Sequence, residues 1–422
     1  MDFQTVNAGM IGDRQAIETA FGSKPLVYAD YTASGRAYAP IEAFIRDRVM
    51  PLYANTHSDS SLTGRQTNAL RNQARQIIRD ALGAGEEHAV IFCGSGATAA
   101  IHRLIDMMEL RHPAEPTTVL IGPYEHHSNE LPWRECDVDL EVIPLDDTGA
   151  LDLAALEQRL SALAGKRRII ASFSAASNVT GLRTDTARVS ELVHRHGGRV
   201  FWDYAAAAPY VGIDVADKDA VFISPHKFPG GPGTPGLLVL RRDLYHRETP
   251  TQPGGGTVSF VSPEAHTYVE DCERREEAGT PGIVESIRAG LVFKLQQQVG
   301  TDRIEAREET LRQTALERWG AHPNIKLLGN PELPSLSILS FQITDGEQPY
   351  HYAFIVALLN DLFGIQARGG CSCAGPYGHH LLGLNHASSV ALEHEVTHGN
   401  AVLRPGWVRM NFNYFFDDES VD

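Results

Sequence analysis

The sequence predicts an α/β protein, with a large domain built on a mostly parallel sheet covered by helices and a smaller α/β domain towards the C-terminal end. Short β-rich runs alternate with helical patterns through the middle of the chain, as parallel strands joined by crossover helices do. The pattern changes after the glycine run Gly254-Gly255-Gly256, and 422 residues with 42% hydrophobic side chains suffice for two intimately joined domains. Residues 25–290 are expected to form the large domain, and 1–24 with 291–422 the small one.

In chain order, Asp13 to Phe21 is read as an N-terminal helix packed on the second domain. Ala89 to Phe92, Thr118 to Ile121, Ile169 to Phe173, Val200 to Trp202 and Ala220 to Ile223 are apolar runs of strand length and are read as buried strands. Leu153 to Leu163 and Thr186 to His194 carry helical spacing between them, and Ile283 to Gln298 and Asp302 to Trp319 read as long helices. Beyond Pro323, the strand Ser337 to Ile343 alternates with the helix Tyr352 to Leu362.

Charge and composition narrow the function. Lys+Arg 37 against Asp+Glu 53 gives 37 − 53 = −16, spread along the chain, which argues against nucleic acid or an anionic membrane as partner and favours a small-molecule substrate. No run approaches the roughly 18 apolar residues of a membrane span, and Met1 to Met10 lacks a signal-peptide layout, so a cytoplasmic location is expected. Five cysteines, an odd number in a large chain, argue for reactive thiols rather than a disulfide scaffold.

The strand ends carry the chemistry, because in an open parallel sheet they line the ligand crevice. Phe92 to Ala100, with Gly94-Ser95-Gly96, runs from strand through small residues into a helix and offers N–H groups to a phosphate. Asp203 ends an apolar strand, where an unpaired carboxylate is costly and calls for a cation. Glu125-His126-His127-Ser128-Asn129 follows another strand and puts an imidazole where it can stack on a planar ligand. Ser224-Pro225-His226-Lys227-Phe228-Pro229-Gly230-Gly231 sets a lysine between a histidine and a turn, straight after a buried strand. Cradle, ring, acid and lysine together describe a pyridoxal 5'-phosphate site, in which the lysine forms the Schiff base and the acid keeps the pyridine nitrogen protonated. Any one of them alone fits an ordinary strand-end polar group better.

From Tyr28-Ala29-Asp30-Tyr31-Thr32-Ala33-Ser34 to Arg409 the chain resembles the class V aminotransferase family, in its cysteine desulfurase and selenocysteine lyase branch. The resemblance implies the fold type I architecture of pyridoxal-phosphate-dependent transferases. It makes Lys227 the cofactor lysine, places Ser224, His226, Ala97 and Thr98 on the phosphate, His126 on the ring, Asp203 on the pyridine nitrogen and Asn178 near the phenolic oxygen. Thr280, in Glu277-Ala278-Gly279-Thr280-Pro281, matches a threonine that reaches the other subunit's cofactor, which implies a homodimer. In Arg368-Gly369-Gly370-Cys371-Ser372-Cys373-Ala374 it implies that Cys373 attacks the substrate's sulfur, with Cys371 as an unusual second thiol. Arg409 is the expected fork for the substrate carboxylate, with Arg368 and His57 also assigned to substrate. A sulfur-acceptor protein is the partner such chemistry implies. The chain departs from the family at Ala206, where glutamine is usual, and this keeps a C–S lyase working by β-elimination in view.

Two rivals remain. His394-Glu395-Val396-Thr397-His398 fits the H-E-x-x-H zinc pattern, but Gly399 and Asn400 end that helix at once and no third ligand is evident, so no metal is expected. A scaffold without turnover would be favoured if Lys227 or Asp203 were missing, and both are present.

Overall fold

The structure, a computed structural model, describes residues 1–56 and 60–421. Its centre is a seven-stranded sheet of β1 (His88–Cys93), β2 (Thr117–Ile121), β3 (Asp139–Val142), β4 (Arg168–Ser174), β5 (Arg199–Asp203), β6 (Ala220–Ile223) and β7 (Gly236–Arg241), in the order β1-β7-β6-β5-β4-β2-β3. Strands β2 to β6 pair in parallel, and β7 is antiparallel to both of its neighbours. Alternate residues feed two cores, one on each face. Phe92, Phe173, Trp202 and Val221 go to one core, and Ile91, Ile170, Phe201 and Phe222 to the other. Burial on both faces explains why these strands read as continuous apolar runs. Two strands stand outside the expected set: β3, a partly exposed edge strand, and β7.

The helices between strands form where expected, Leu153–Leu163 and Thr186–Arg195, each started by an aspartate. The Asp152 carboxylate accepts from Ala155 N at 2.9 Å and that of Asp185 from Arg188 N at 3.1 Å, which satisfies N–H groups that a helix start leaves open. Helices α1 (Leu62–Ala81), α2 (Gly96–Met107) and α3 (Ile283–Val299) pack on the sheet, and α2 starts at its ligand edge. A Cβ on Gly290 of α3 would lie 2.5 Å from the Ala74 Cα of α1, so the two helices meet at that glycine. Because α3 runs unbroken across residue 290, the expected domain limit falls inside a helix.

A second, antiparallel sheet contains β8 (Ile325–Leu327), β9 (Ile338–Asp345), β10 (Arg368–Gly370) and β11 (Trp407–Asn411), ordered β8-β9-β11-β10, with Gln348–Pro349 added to β9. Its register sets Arg368 opposite Arg409. A separate parallel pairing joins Val27–Tyr28 to Ile365–Gln366, and Asn411 N donates to Ala29 O at 2.9 Å. Asp30 is thereby carried to the end of β11.

The N-terminal expectation is corrected. The segment from Asp13 to Phe21 contains no helix; a short helix spans Phe3–Gly9, and Ala16–Thr19 pairs with Gly22–Pro25 as a hairpin. Ile17 and Thr19 are β-branched, and Gly22 turns the chain at φ 89°, so period-2 pairing prevails over a weak helical pattern. The hairpin does lie on the second domain, since Thr19 Oγ1 donates to Asp361 O at 2.7 Å. Among the described residues no helix is long and apolar enough to cross a membrane.

Candidate active site

The C-terminal ends of β4, β5 and β6, the start of α2 and the loop after β10 enclose a cleft of about 220 Å³. Strand β6 delivers Ser224 and then a single 3₁₀ turn, Pro225–Lys227, which aims the lysine inward. The turn packs tightly against backbone: a Cβ on Gly231 would stand 2.1 Å from Pro225 O, so only glycine fits there. Burial brings the Lys227 ammonium down to about 8; Asp203 opposes that shift, and Arg409 and Arg368 add to it. Asp203, at the end of β5, is 4% exposed, and its Oδ1 accepts from Ala205 N at 2.8 Å. Burial raises its pKa, against the hydrogen bond from Ala205 and the nearby Lys227 charge, both of which favour the carboxylate.

Helix α2 opens on Gly96 at φ 57°, and Ser95 gives no side-chain cap to its first N–H groups. Ala97 N donates to Ser224 Oγ at 2.9 Å, and a Cβ on Gly96 would sit 2.9 Å from that oxygen and 3.0 Å from His226 Cε1. Thr98 Oγ1 lies 2.7 Å from Ser128 Oγ. A helix start with no cap from Ser95, the nearby hydroxyls and a glycine cradle suit a phosphate. The neighbouring rings are neutral: burial chiefly, with Lys227 adding to it, takes His126 down to about 3 and His226 to about 4. His126 Nδ1 accepts from Ser128 N at 3.1 Å, which fixes the ring at the cleft. The residues present therefore fit pyridoxal phosphate, with a phosphate cradle, a flat neutral ring, a buried acid and a buried amine on one cavity wall.

From the second domain the cleft receives Arg409, Arg368, Ser372 and Cys373. Arg409 is 3% exposed; its Nη2 donates to Asp30 Oδ1 and its Nη1 to Asn178 O, both at 2.9 Å, and Nε has no partner. Arg368 Nε donates to Asp30 Oδ2 at 3.0 Å, so one carboxylate holds both guanidinium groups. Asn178 Nδ2 donates to Ser372 O at 2.7 Å and leaves Oδ1 without a partner at the cleft. Cys373 is exposed into the cleft, whereas Cys371 is half-buried beside the Tyr124, Tyr377 and Trp407 cluster and does not line it. Thr280 is also outside the cleft, its Oγ1 accepting from Asn55 Nδ2 at 3.0 Å. His57 lies outside the described residues.

Sequence reasoning missed three groups. Asp30, between Ala29 and Tyr31, carries no local sign of the two arginines it holds. Glu125, next to the ring histidine in sequence, is buried and accepts from Ser174 N, Ser174 Oγ, Asn129 Nδ2 and Gly122 N. Burial takes its carboxyl up to about 7 despite those donors. His127, the second histidine of the pair, faces the cysteine loop instead of the cleft, and its Nε2 accepts from Gly375 N at 3.0 Å. The zinc-like motif runs off the end of the helix His386–Thr397, which buries no residue and is C-capped by His398; its two imidazoles stack on each other at 4.2 Å. Among the described residues no three His, Cys, Asp or Glu side chains are grouped to hold a metal ion.

Residues 27–419 match the aminotransferase class-V family. The chain is 30% identical over 386 residues to a probable cysteine desulfurase 1 of Mycobacterium leprae, covering 89% of this chain and 60% of that protein. It is 29% identical over 380 residues to a probable cysteine desulfurase of Mycolicibacterium paratuberculosis, covering 87% and 53%. This chain thus spans less than two thirds of either relative. The fold is also that of the cysteine desulfurase CsdA of Escherichia coli in its S-sulfonic acid form, with a TM-score of 0.78 at 22% identity over 100% of this chain and 96% of that one.

Proposed function

Because the chain belongs to the aminotransferase class-V family, we propose that it is a pyridoxal-phosphate-dependent enzyme that takes sulfur from L-cysteine, or a related amino acid, onto Cys373. The observation that carries the reading is the meeting of Lys227, Arg409 and an exposed thiol, Cys373, in one cleft. When bound, the cofactor supplies an electron sink for the substrate's α-carbon. Ala97, Thr98, Ser224 and His226 would hold its phosphate, His126 its ring face and Asp203 its ring nitrogen.

The chain's own groups do the rest. Arg409 and Arg368 take the substrate carboxylate. Lys227 Nζ, with a pKa brought down to about 8, is partly neutral near pH 7 and able to carry the α-proton. The Cys373 thiolate attacks the substrate's sulfur: an S–S bond forms, the C–S bond breaks with its electron pair left on the β-carbon, and that carbon takes a proton. Alanine leaves, and Cys373 keeps a persulfide for an acceptor protein or small thiol. The exposure of Cys373 supports that hand-over. Thr280, away from its own cleft, supports a homodimer in which it serves the partner's site, and five unpaired cysteines support a reducing, cytoplasmic setting.

Ala206, lining the cleft with no side-chain donor, favours β-elimination as the competing reading. Cys373→Ala and Cys371→Ala, each given L-cysteine and assayed for alanine and pyruvate, decide between them. Loss of alanine in Cys373→Ala alone is expected. Pyruvate formed undiminished by both variants would replace the desulfurase with a lyase.

A further inference from the structure

We infer that His127 is a positioning residue for the Cys373 thiol, clamping the nucleophile loop to the ligand edge of the large sheet through its ring and its backbone at once. The inference rests on the desulfurase reading and deepens it.

The loop needs such a clamp because its backbone is strained where the thiol sits. Ser372 and Cys373 are consecutive non-glycine residues in the left-handed region, at φ 53° and 56°. Each such residue costs roughly 1–2 kcal/mol, so the surroundings must hold the conformation. Within the loop, Ala374 N donates to Cys371 O at 3.2 Å. Gly378 N donates to Ala374 O at 2.8 Å, and three further restraints come from the large domain. His127 N donates to Cys373 O at 2.9 Å, Gly375 N donates to His127 Nε2 at 3.0 Å, and Asn178 Nδ2 donates to Ser372 O at 2.7 Å. His127 therefore grips the chain on both sides of Ala374, through the Cys373 carbonyl before it and the Gly375 N–H after it, and Ala374 itself is fully buried.

The ring contact makes a chemical demand. An acceptor at Nε2 requires an uncharged imidazole with its proton on Nδ1, and burial, which lowers the pKa of His127, agrees with that form. Gly375 is part of the fit, since a Cβ there would come within 3.2 Å of Nε2. The adjacent histidines divide the work, with rings 6.2 Å apart and tilted by 49°: His126 lines the cleft and His127 holds the loop. Releasing the clamp frees Ser372 and Cys373 to leave the left-handed region and takes the thiol off its line to the substrate, while Lys227, Asp203 and the phosphate cradle stay as they are.

The test compares the full-length holoenzyme with His127→Ala and His127→Gln, because glutamine keeps an acceptor at similar reach. Amide hydrogen exchange of the peptide covering residues 368–382 reports the clamp without turnover, and steady-state alanine formation from L-cysteine reports the chemistry. In His127→Ala, exchange of the loop should rise, kcat should fall about tenfold to a hundredfold as expected for a misplaced reacting group, and KM should stay within about twofold. His127→Gln should recover both exchange protection and most of kcat. Unchanged exchange in His127→Ala, kcat retained while exchange rises, or His127→Gln behaving like His127→Ala would each overturn the inference. If the wild type forms no alanine, the desulfurase reading fails by itself, and the exchange data still decide whether His127 holds the loop.

Discussion

Lys227 in the cofactor-free protein should react as an amine of pKa about 8 rather than the 10.5 of an ordinary lysine. The difference comes mainly from burial, which disfavours the ammonium, and the charges around it act in known directions: Asp203 holds the pKa up, while Arg409 and Arg368 push it down. A displacement of that size corresponds to about 3 kcal/mol, and near pH 7 it raises the neutral-amine fraction about 300-fold over an exposed lysine. Only the neutral amine attacks an aldehyde. The rate at which apo-protein takes up pyridoxal phosphate, followed by visible absorbance under second-order conditions, should therefore climb about tenfold per pH unit below 8 and level off above it. Two variants move that midpoint in opposite directions. Asp203→Asn removes the anion and should shift it to lower pH, and Arg409→Gln removes a cation and should shift it to higher pH. The same shift bears on stability. A lysine whose folded pKa is depressed contributes stability that is present above pH 10.5 and lost as pH falls through 8, so apo-protein should weaken on going from pH 10.5 to 8 as far as this group is concerned. A midpoint near 10.5, or both variants moving it the same way, would refute the reasoning.

Asp30→Ala removes the carboxylate shared by Arg409 and Arg368 and leaves the buried guanidinium without its anion, which should cost roughly 3 kcal/mol in denaturant unfolding and raise KM for the amino acid; an unchanged KM would show that the two arginines do not receive the substrate. Gly236→Ala sets a Cβ 2.0 Å from Gly96 O, a backbone atom that cannot step aside, so the phosphate cradle should be displaced and cofactor affinity should fall, measured by equilibrium dialysis. Affinity equal to that of the wild type would mean that the start of α2 does not hold the phosphate.

The parts of the fold legible beforehand are those whose signal is local. Leu153–Leu163 and Ala220–Ile223 were read to the residue, since a full helical period bounded by an aspartate cap, or four apolar residues ahead of a turn, needs no distant partner to be recognised. The N-terminal hairpin was missed because Ala16 to Pro25 is too short to declare its period, and its pairing is stabilised by a helix hundreds of residues later in the chain. Strand β7 is as apolar as its neighbours, but its antiparallel direction is a property of the sheet.

In the site the division falls in the same place. Sequence alone determined that a lysine, an acid, an imidazole and a glycine-rich helix start stand at strand ends, because in a parallel sheet strand ends share one edge whatever the loops do. It also determined that two thiols lie close together between glycines, and only the family resemblance singled out Cys373; the physical reason for their difference lies in the tertiary structure, where Ser372 and Cys373 turn into the left-handed region, Cys373 lines the cleft and Cys371 packs beside Trp407. Asp30 acquires its role in the same way. Its two arginines lie far along the chain, and they meet one carboxylate because β10 and β11 pair in a register that sets Arg368 opposite Arg409, while Val27–Tyr28 joins the same end of the domain. A charge pair closed across such a distance leaves no trace in local sequence, since its energy depends on positions that only the folded chain brings together.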